Sequence, residues 1–229
     1  MLQDHEGGAL RVARRIQRLE RYLVLPGGTA SAWIVTLGAA SCVGLAYFSA
    51  ARLGLALRPQ PAHMAVFWPA SGIAAGVLII AGRRAGLPVA VGVLIGSLAA
   101  IYLNKRALLP SALLGACNFG EVLLFSWLLS RWVGRPFALR DLRGVVSFLA
   151  AALIAVAITG IGGAAILASS VRPYQLAWQT WLPSHVLGIV VIAPLLIVLD
   201  QLRRRPPSRG ETLEGLAALT VLAVEVCLR

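Results

Sequence analysis

Polar, aromatic and helix-breaking residues interrupt three of the long apolar stretches of this sequence. Tryptophan, carboxyl, amide and imidazole groups inside apolar surroundings can bind a small ligand or hold a proton, because each needs a polar partner there. The candidate ligand-binding residues are, in chain order, Trp68, Pro69, Gly72, Asn118, Glu121, Trp181, His185 and Gly188. They include no catalytic set, and we predict no catalytic residue among them.

Asn118 and Glu121 are three residues apart, so they share one face of a helix. A carboxyl group exposed to lipid is costly, and we therefore expect Glu121 to face the protein interior and to have a partner. Two interpretations stay open at this point. The pair is either a polar clamp between two helices or part of a ligand or proton site.

Pro69 follows Phe67 and Trp68 within another apolar stretch. A proline inside a helix removes one backbone hydrogen bond, so Pro69 either kinks a helix or begins one. Irregular backbone before it is tolerated at membrane depth only against protein or a wet cavity. The alternative is an interfacial position, with Trp68 in an aromatic belt.

Trp181, His185 and Gly188 are spaced four and three residues apart, which places them on one helix face unless Pro183 breaks the register. A single histidine is more typical of packing than of metal binding, and its surroundings lack the spacing of a zinc helix. We predict no metal site, and the sequence specifies no cofactor. Three cysteines inside apolar runs indicate small core residues rather than disulfides, namely Cys42, Cys117 and Cys227.

The composition decides the class of protein that must position these residues. Of 229 residues, 59% are hydrophobic and 13% are charged, whereas soluble domains have about 45–50% and about 25%. This excludes a water-soluble globule, a disordered tail and a nucleic-acid-binding domain, despite a net charge of +12. We predict an all-α, polytopic bundle of transmembrane helices.

Apolar stretches of about 20 residues cross the hydrocarbon core, which is about 30 Å thick. The six predicted spans are 23–51, 59–82, 85–104, 107–130, 144–171 and 173–199. Part of a seventh span begins near Leu213 and stops at Arg229, with Glu225 inside it. We therefore expect a truncated bundle, either a natural truncation or a fragment.

The basic residues alternate between the loops in a way that predicts orientation. Fifteen arginines occur in the N-terminal arm and in the second, fourth and sixth loops, against four basic residues in the alternate loops. The alternate loops hold Arg58, Lys105, Arg106 and Arg172. By the positive-inside rule, the N-terminus and the arginine-rich loops lie in the cytoplasm.

The first 25 residues form a segment of their own, ahead of the membrane-embedded region 26–229. Apolar residues recur there at helical spacing with arginines on the opposite side. One interpretation is a basic amphipathic helix on anionic lipid. The other is a solvated lead-in that only sets topology.

Three motifs occur in an order that resembles a bacterial sensor family. They are Phe67-Trp68-Pro69-Ala70-Ser71-Gly72 followed by Gly82-Arg83-Arg84, then Asn118-Phe119-Gly120-Glu121, and finally Trp181 with Gly188 and Pro194. Together they resemble the integral membrane-associated sensor domain known as MASE, type one, over roughly residues 30 to 229. The chain departs from the resemblance at His185, where an acidic residue is expected.

The resemblance implies a bundle of eight helices in the bacterial inner membrane, joined to a cytoplasmic output module of the histidine kinase or diguanylate cyclase type. This chain would be the input half, and any enzyme activity would belong to a missing C-terminal module. Its implied partners are the lipid bilayer and the output domain or a kinase, and a homodimer stays open. The ligand is not specified.

Two main hypotheses follow for the function. In the first, a small ligand or membrane cue binds between the second, fourth and sixth spans, near Trp68, Glu121 and His185, and shifts a helix arrangement. In the second, the chain is a small transporter or proton-coupled permease in which Glu121 relays protons, although no internal repeat is evident. A membrane scaffold is a third possibility.

Overall fold

The computed structural model describes residues 30–57, 65–134, 137, 139, 141–168 and 173–204, with single positions or short pieces at 208, 210, 213–215, 217 and 220. Its regular elements are all helical, which confirms the all-α prediction. The helices are α1 (Ala30–Ala56), α2 (Pro69–Ala81), α3 (Gly86–Tyr102), α4 (Leu108–Trp132), α5 (Leu142–Ala168) and α6 (Tyr174–Arg204). A 3-10 turn, Gly82–Ala85, joins α2 to α3.

Four of these helices, α1, α4, α5 and α6, are long and apolar enough to cross a membrane. The other two are shorter, with 13 residues in α2 and 17 in α3. At 1.5 Å per residue they measure about 20 Å and about 26 Å, less than a hydrocarbon core of about 30 Å. Six full spans are therefore not confirmed. The predicted arm 1–25 and most of the seventh run lie outside the described residues.

Pro69 explains why α2 is short. It is the first residue of the helix, and Trp68 before it has a non-helical backbone with φ −116° and ψ 77°. A proline at this position loses no intrahelical hydrogen bond, and its fixed φ suits the helix. Of the two alternatives for Pro69, the structure shows a helix start, and residues 65–68 enter it as irregular chain.

Two pairs of helices run parallel to each other. Gly44 of α1 lies against Gly92 and Gly96 of α3, so both helices advance in the same direction. Gly72 of α2 lies against Gly188 of α6, and residues further along both helices also meet. Glycines allow these backbones to approach closely, as is common between membrane helices.

Neighbouring helices in the sequence run antiparallel. The hydrogen bond between Ser97 and Asn118 joins α3 to α4, and Cys117 of α4 meets Gly162 of α5. Consequently α2, α4 and α6 end at the same side of the bundle at which α1, α3 and α5 begin. We call this side the arginine-rich end, because it holds the 3-10 turn with Arg83 and Arg84, and also Arg131, Arg143, Arg203 and Arg204. The other side is called the opposite end.

Large apolar side chains cover the outer surface of the bundle. Val35 of α1 is 71% exposed and Ile158 of α5 is 52% exposed, as are many other aliphatic residues on the outward faces. A soluble monomer seldom exposes a continuous apolar surface of this extent, so the surface suits contact with lipid chains. Cys42 is also exposed, which corrects the prediction of a core position, whereas Cys117 is partly buried against the core.

The close packing of α1 on α3 predicts the effect of a bulky side chain at Gly92. A Cβ atom there would lie 2.7 Å from the Ala40 carbonyl oxygen and 2.8 Å from the Gly44 nitrogen. Because backbone atoms cannot rotate away, Gly92→Val should destabilise the bundle by about 2 kcal/mol. The thermal unfolding midpoint in nanodiscs should then fall by about 4–8 °C. Gly38→Val is the control, since nothing lies within 4 Å of a Cβ atom at that site. If both variants lowered the unfolding midpoint equally, the close packing of α1 on α3 would be contradicted.

Candidate functional site

Three helices meet at a buried cluster of polar side chains, here called the Glu121 cluster. Ser71 of α2 donates a hydrogen bond from Oγ to Glu121 Oε1 of α4 at 2.5 Å. His185 of α6 places its Nδ1 atom 2.8 Å from Glu121 Oε2 and 3.1 Å from Ser71 Oγ. Since these three residues lie 50 or more positions apart in sequence, the cluster holds α2, α4 and α6 together.

The Glu121 cluster is shielded from solvent, and its Glu121 and His185 side chains share a proton. Glu121 is fully buried and His185 is 4% exposed. The short contact between Nδ1 and Oε2 requires one proton between these atoms. The pair is therefore either a carboxylate with a protonated Nδ1 or a carboxylic acid with an unprotonated Nδ1. Two proton arrangements are possible for one set of heavy-atom positions.

The geometry does not activate Ser71 as a nucleophile. A serine triad needs the imidazole to use one nitrogen for serine and the other for the carboxylate. Here the same nitrogen of His185 faces both Ser71 and Glu121, and the serine proton is donated to the carboxyl group. The cluster can hold helices and a proton, but it does not form the relay of a hydrolase.

Two tryptophans stack on the imidazole of His185. Trp181 lies with its ring centroid 4.2 Å away at an interplanar angle of 16°, and Trp68 lies 5.6 Å away at 9°. Trp181 also packs against α5, where a Cβ atom on Gly163 would lie 2.7 Å from the indole. Gly160 makes a similar contact, so the small residues of α5 form the groove that holds Trp181.

A second polar network, here called the Tyr47 chain, runs beside the Glu121 cluster. Trp68 donates from Nε1 to Tyr47 Oη of α1 at 3.2 Å. Tyr47 also hydrogen-bonds Ser97 of α3, and Asn118 of α4 donates from Nδ2 to Ser97 Oγ at 2.6 Å. The chain therefore connects four helices through buried side chains, and it meets the first cluster at Trp68.

Two glycines make the crossing of α2 and α6 possible. A Cβ atom on Gly72 would overlap the Gly188 carbonyl oxygen, and one on Gly188 would overlap the Trp68 carbonyl oxygen. The backbone nitrogen of Trp68 donates to the Ser184 carbonyl oxygen at 3.0 Å, which anchors the irregular chain on α6. Gly72 and Gly188 thus position Trp68 and Ser71 next to His185.

A cavity of about 100 Å³ opens beside both networks. Its walls come from all six helices or the chain next to them, and they combine aliphatic, aromatic and polar groups. The lining residues are Leu55, Ala65, Trp68, Ile101, Asn104, Arg106, Leu114, Asn118, Leu167, Trp181, Ser184 and His185. These positions fall near the ends of α1, α3 and α5 and in the first halves of α4 and α6, so the cavity lies towards the opposite end of the bundle.

Two buried polar atoms of the cavity residues have no hydrogen-bond partner within the described part of the chain. They are Asn118 Oδ1, an acceptor, and Trp181 Nε1, a donor. Asn118 is 1% exposed and Trp181 is 6% exposed. An unsatisfied buried polar group costs about 1–3 kcal/mol, so each atom would be stabilised by a hydrogen-bond partner.

All eight predicted site residues lie around the contact of α2, α4 and α6. Pro183 does not break the register of α6, because the helix is continuous through it and Trp181 still stacks on His185. The prediction did not include Ser71, Tyr47, Ser97 or Arg106 among the site residues. Among the described residues, no group of three or more His, Cys, Asp or Glu side chains is suited to hold a metal ion.

Comparison with known proteins gives one family. The family model described as MASE1 matches residues 30–229, which is most of the chain. No curated protein and no solved structure matches the chain.

Proposed function

Since the chain belongs to the MASE1 family and is therefore a membrane-associated sensory input domain, we propose that its signal is a small ligand bound in the cavity beside Trp181 and Asn118. The Glu121 cluster then transmits the binding event to α6. A cytoplasmic output module of the kinase or cyclase type receives it.

The observation that carries this proposal is the pair of unsatisfied atoms, Asn118 Oδ1 and Trp181 Nε1. The residues of the Glu121 cluster have partners in each other, so they explain the cohesion of the helices without any ligand. The two unsatisfied atoms, in contrast, have no partner among the described residues, and both belong to side chains that line the cavity. A ligand that hydrogen-bonds both side chains favours an arrangement in which these two atoms are open to the cavity.

Orientation gives the side from which the ligand comes. The arginine-rich end is expected to face the cytoplasm by the positive-inside rule. The cavity lies towards the opposite end, so its ligand enters from outside the cytoplasm or from the outer leaflet. In this arrangement the chain is a receptor in the bacterial inner membrane that reports extracytoplasmic chemistry to the cell interior.

Direct contacts connect the cavity to the Glu121 cluster. Trp181 lines the cavity and stacks on His185, and His185 contacts Glu121 of α4 and Ser71 of α2. A ligand that moves the Trp181 indole therefore changes the position or the proton arrangement of the Glu121 cluster. Because α6 runs on to the arginine-rich end, its displacement relative to α2 and α4 is available to a cytoplasmic partner.

The proposal is tested with a fusion that carries a diguanylate cyclase after Arg229 and with cellular cyclic dinucleotide as the readout. Glu121→Gln keeps the size of the side chain but allows only one proton arrangement, and Trp181→Phe removes the unsatisfied donor. Each variant should change the output about fivefold or more, since about 1 kcal/mol shifts a two-state equilibrium by that factor.

Ser111→Ala is the matched control for this experiment. Ser111 is a buried serine of α4 whose hydroxyl donates to the Ala107 carbonyl oxygen within its own segment. The output of Ser111→Ala should stay within about twofold of the parent output. The amount of every variant in the membrane should also stay within about twofold of the parent amount. Unchanged output in both Glu121→Gln and Trp181→Phe would contradict the proposal. The family match favours this sensory function over the transporter considered from the sequence.

A further inference from the structure

We propose that Nε2 of His185 is a proton-binding site on the wall of the cavity, and that the sensory output therefore depends on pH at the opposite end of the bundle. This inference goes beyond the proposed function, because proton binding requires no organic ligand in the cavity. Three features carry it: the place of His185 between the Glu121 cluster and the cavity, the two indoles stacked on its ring, and the suitability of the cavity for water.

His185 is the member of the Glu121 cluster that reaches the cavity. Glu121 and Ser71 are fully buried and do not line the cavity, whereas His185 is 4% exposed and lines it. The Nδ1 atom of His185 is turned towards Glu121 and Ser71. Its Nε2 atom makes no hydrogen bond with the described residues, yet it is not one of the buried polar atoms that lack a partner. Nε2 therefore keeps accessible surface, at the cavity that His185 lines.

Proton uptake at Nε2 changes the charge of the Glu121 cluster without breaking its hydrogen bonds. When Nε2 is unprotonated, Nδ1 holds the shared proton and donates it to Oε2 of Glu121. A carboxylate then lies beside a neutral imidazole. Hydronium in the cavity gives a proton to the Nε2 lone pair and leaves as water, so that a new N–H bond forms and the pair becomes neutral overall. Because the pair is buried, this change of one charge alters its interactions more than it would in water.

The two stacked indoles give the protonated state a structural consequence. Trp181 lies with its ring centroid 4.2 Å from that of His185, and Trp68 lies 5.6 Å away on a nearly parallel plane. An imidazolium between two indole faces is attracted to both, so proton uptake strengthens the stack. Trp68 directly precedes α2 and Trp181 belongs to α6. The proton therefore tightens the contact between these two helices.

The cavity suits water, which is needed to deliver the proton. Its volume of about 100 Å³ has room for several water molecules, and its walls include the polar residues Asn104 and Ser184. Ala65 and Trp68 of the irregular chain also line it. Non-helical backbone at membrane depth is tolerated only against protein or a wet cavity. Since the cavity lies towards the opposite end of the bundle, the proton comes from that side.

The other titratable or charged groups near the Glu121 cluster keep their charge near neutral pH. Tyr47 of α1 and Cys117 of α4 interact electrostatically with Glu121, and both side chains are ordinarily uncharged there. Arg106 lines the cavity and is always charged. Helices α2 and α3 contain no charged residue, and α5 contains only Arg143, in its first turn at the arginine-rich end. A change of charge at this site is therefore assigned to the carboxyl–imidazole pair itself.

Nitrogen-15 NMR of the full chain in nanodiscs, with labelled histidine rings, tests the site. The sequence has three histidines, and the variants His5→Gln and His63→Gln identify the signals of the other two. The Nε2 signal of His185 should move from its unprotonated to its protonated position on acidification within about pH 4–9. The ratio of the two forms should change about tenfold per pH unit, as for a single proton.

Glu121→Gln should abolish this titration of Nε2. The amide nitrogen of glutamine donates to Nδ1, so the proton of the neutral ring stays on Nε2 at every pH. Ser111→Ala is the matched control and should titrate as the parent does, because the Ser111 hydroxyl bonds within its own segment. An Nε2 signal that keeps one protonation state over the whole range in the parent would overturn the site.

The cyclase fusion tests whether the proton controls the output. Between a medium pH of about 5.5 and about 7.5, at constant cytoplasmic pH, the output should change about fivefold or more. Ser111→Ala should keep this dependence, and Glu121→Gln should reduce it to less than about twofold. An output indifferent to medium pH, with Nε2 titrating in the NMR experiment, would overturn the coupling. In each case Trp181→Phe at constant pH still tests the proposed function separately.

Discussion

Replacement of Glu121 by alanine should lower the thermal unfolding midpoint of the chain by about 6–12 °C. The substitution leaves His185 and Ser71 buried without their shared partner, and breaking a buried pair in this way costs about 3 kcal/mol or more. It also leaves a cavity at the contact of three helices, because Glu121 is fully buried. Thermal unfolding in nanodiscs, followed by circular dichroism, measures the effect.

Glu121→Gln is the control for the alanine substitution, since it has nearly the same shape. Its amide oxygen accepts from Ser71 and its amide nitrogen donates to His185 Nδ1, so the hydrogen bonds seen in the structure are retained. Its midpoint should fall by no more than about 3 °C. An alanine variant as stable as the glutamine variant would show that the Glu121 cluster does not hold the helices together.

Much of the helix pattern was predictable from the sequence, because charged residues delimit the apolar runs. The predicted span 107–130 corresponds to α4 (Leu108–Trp132), and 144–171 corresponds to α5 (Leu142–Ala168). Pro69 was ambiguous because local sequence does not fix whether the residues before a proline are helical. Pro183 and Pro194 lie inside the continuous helix α6, whereas Pro69 begins α2. The difference comes from tertiary contacts, such as the bond from Trp68 to Ser184.

The candidate site was predictable in part, because a carboxyl group in an apolar helix requires a partner. That argument identified Glu121, but it did not identify Ser71 as the donor. Several other serines and threonines in these helices bond locally, as Thr36 does with Ala32 and Ser111 does with Ala107. The sequence alone cannot distinguish Ser71 from these, since its bond crosses to another helix. Its position inside the Trp68-Pro69 motif was the available signal.

The two polar networks explain why so few residues can couple a ligand to the whole bundle. Trp68 belongs to the Tyr47 chain through its indole nitrogen and stacks on His185 of the Glu121 cluster. A ligand that contacts Asn118 acts on the Tyr47 chain, and one that contacts Trp181 acts on the Glu121 cluster. Both paths meet at the start of α2. This helix is short, and irregular chain precedes it. This start is therefore the element that we expect to move.

Replacement of Gly188 by alanine should strongly disrupt this start. The added Cβ atom would overlap the Trp68 carbonyl oxygen. Trp68 cannot move away freely, because the Pro69 nitrogen would also lie 3.4 Å from this Cβ atom. Trp68 would lose its backbone bond to Ser184 and its stacking on His185. We expect a loss of about 3 kcal/mol, hence a fall of about 6–12 °C in the unfolding midpoint. The fusion should also lose its normal output, because Ser71 moves with α2 away from Glu121.

Gly120→Ala provides the matched control, since it adds the same methyl group to a glycine of a neighbouring helix. The nearest atom to its Cβ would be Thr159 Cγ2 at 3.8 Å, an ordinary contact. Alanine also favours the helix over glycine by up to about 1 kcal/mol, so the midpoint should stay unchanged or rise by about 2–4 °C. If Gly188→Ala behaved like Gly120→Ala in both stability and output, α2 and α6 would not cross as closely as the structure places them. The start of α2 could then not be the moving element, because its position would not depend on α6.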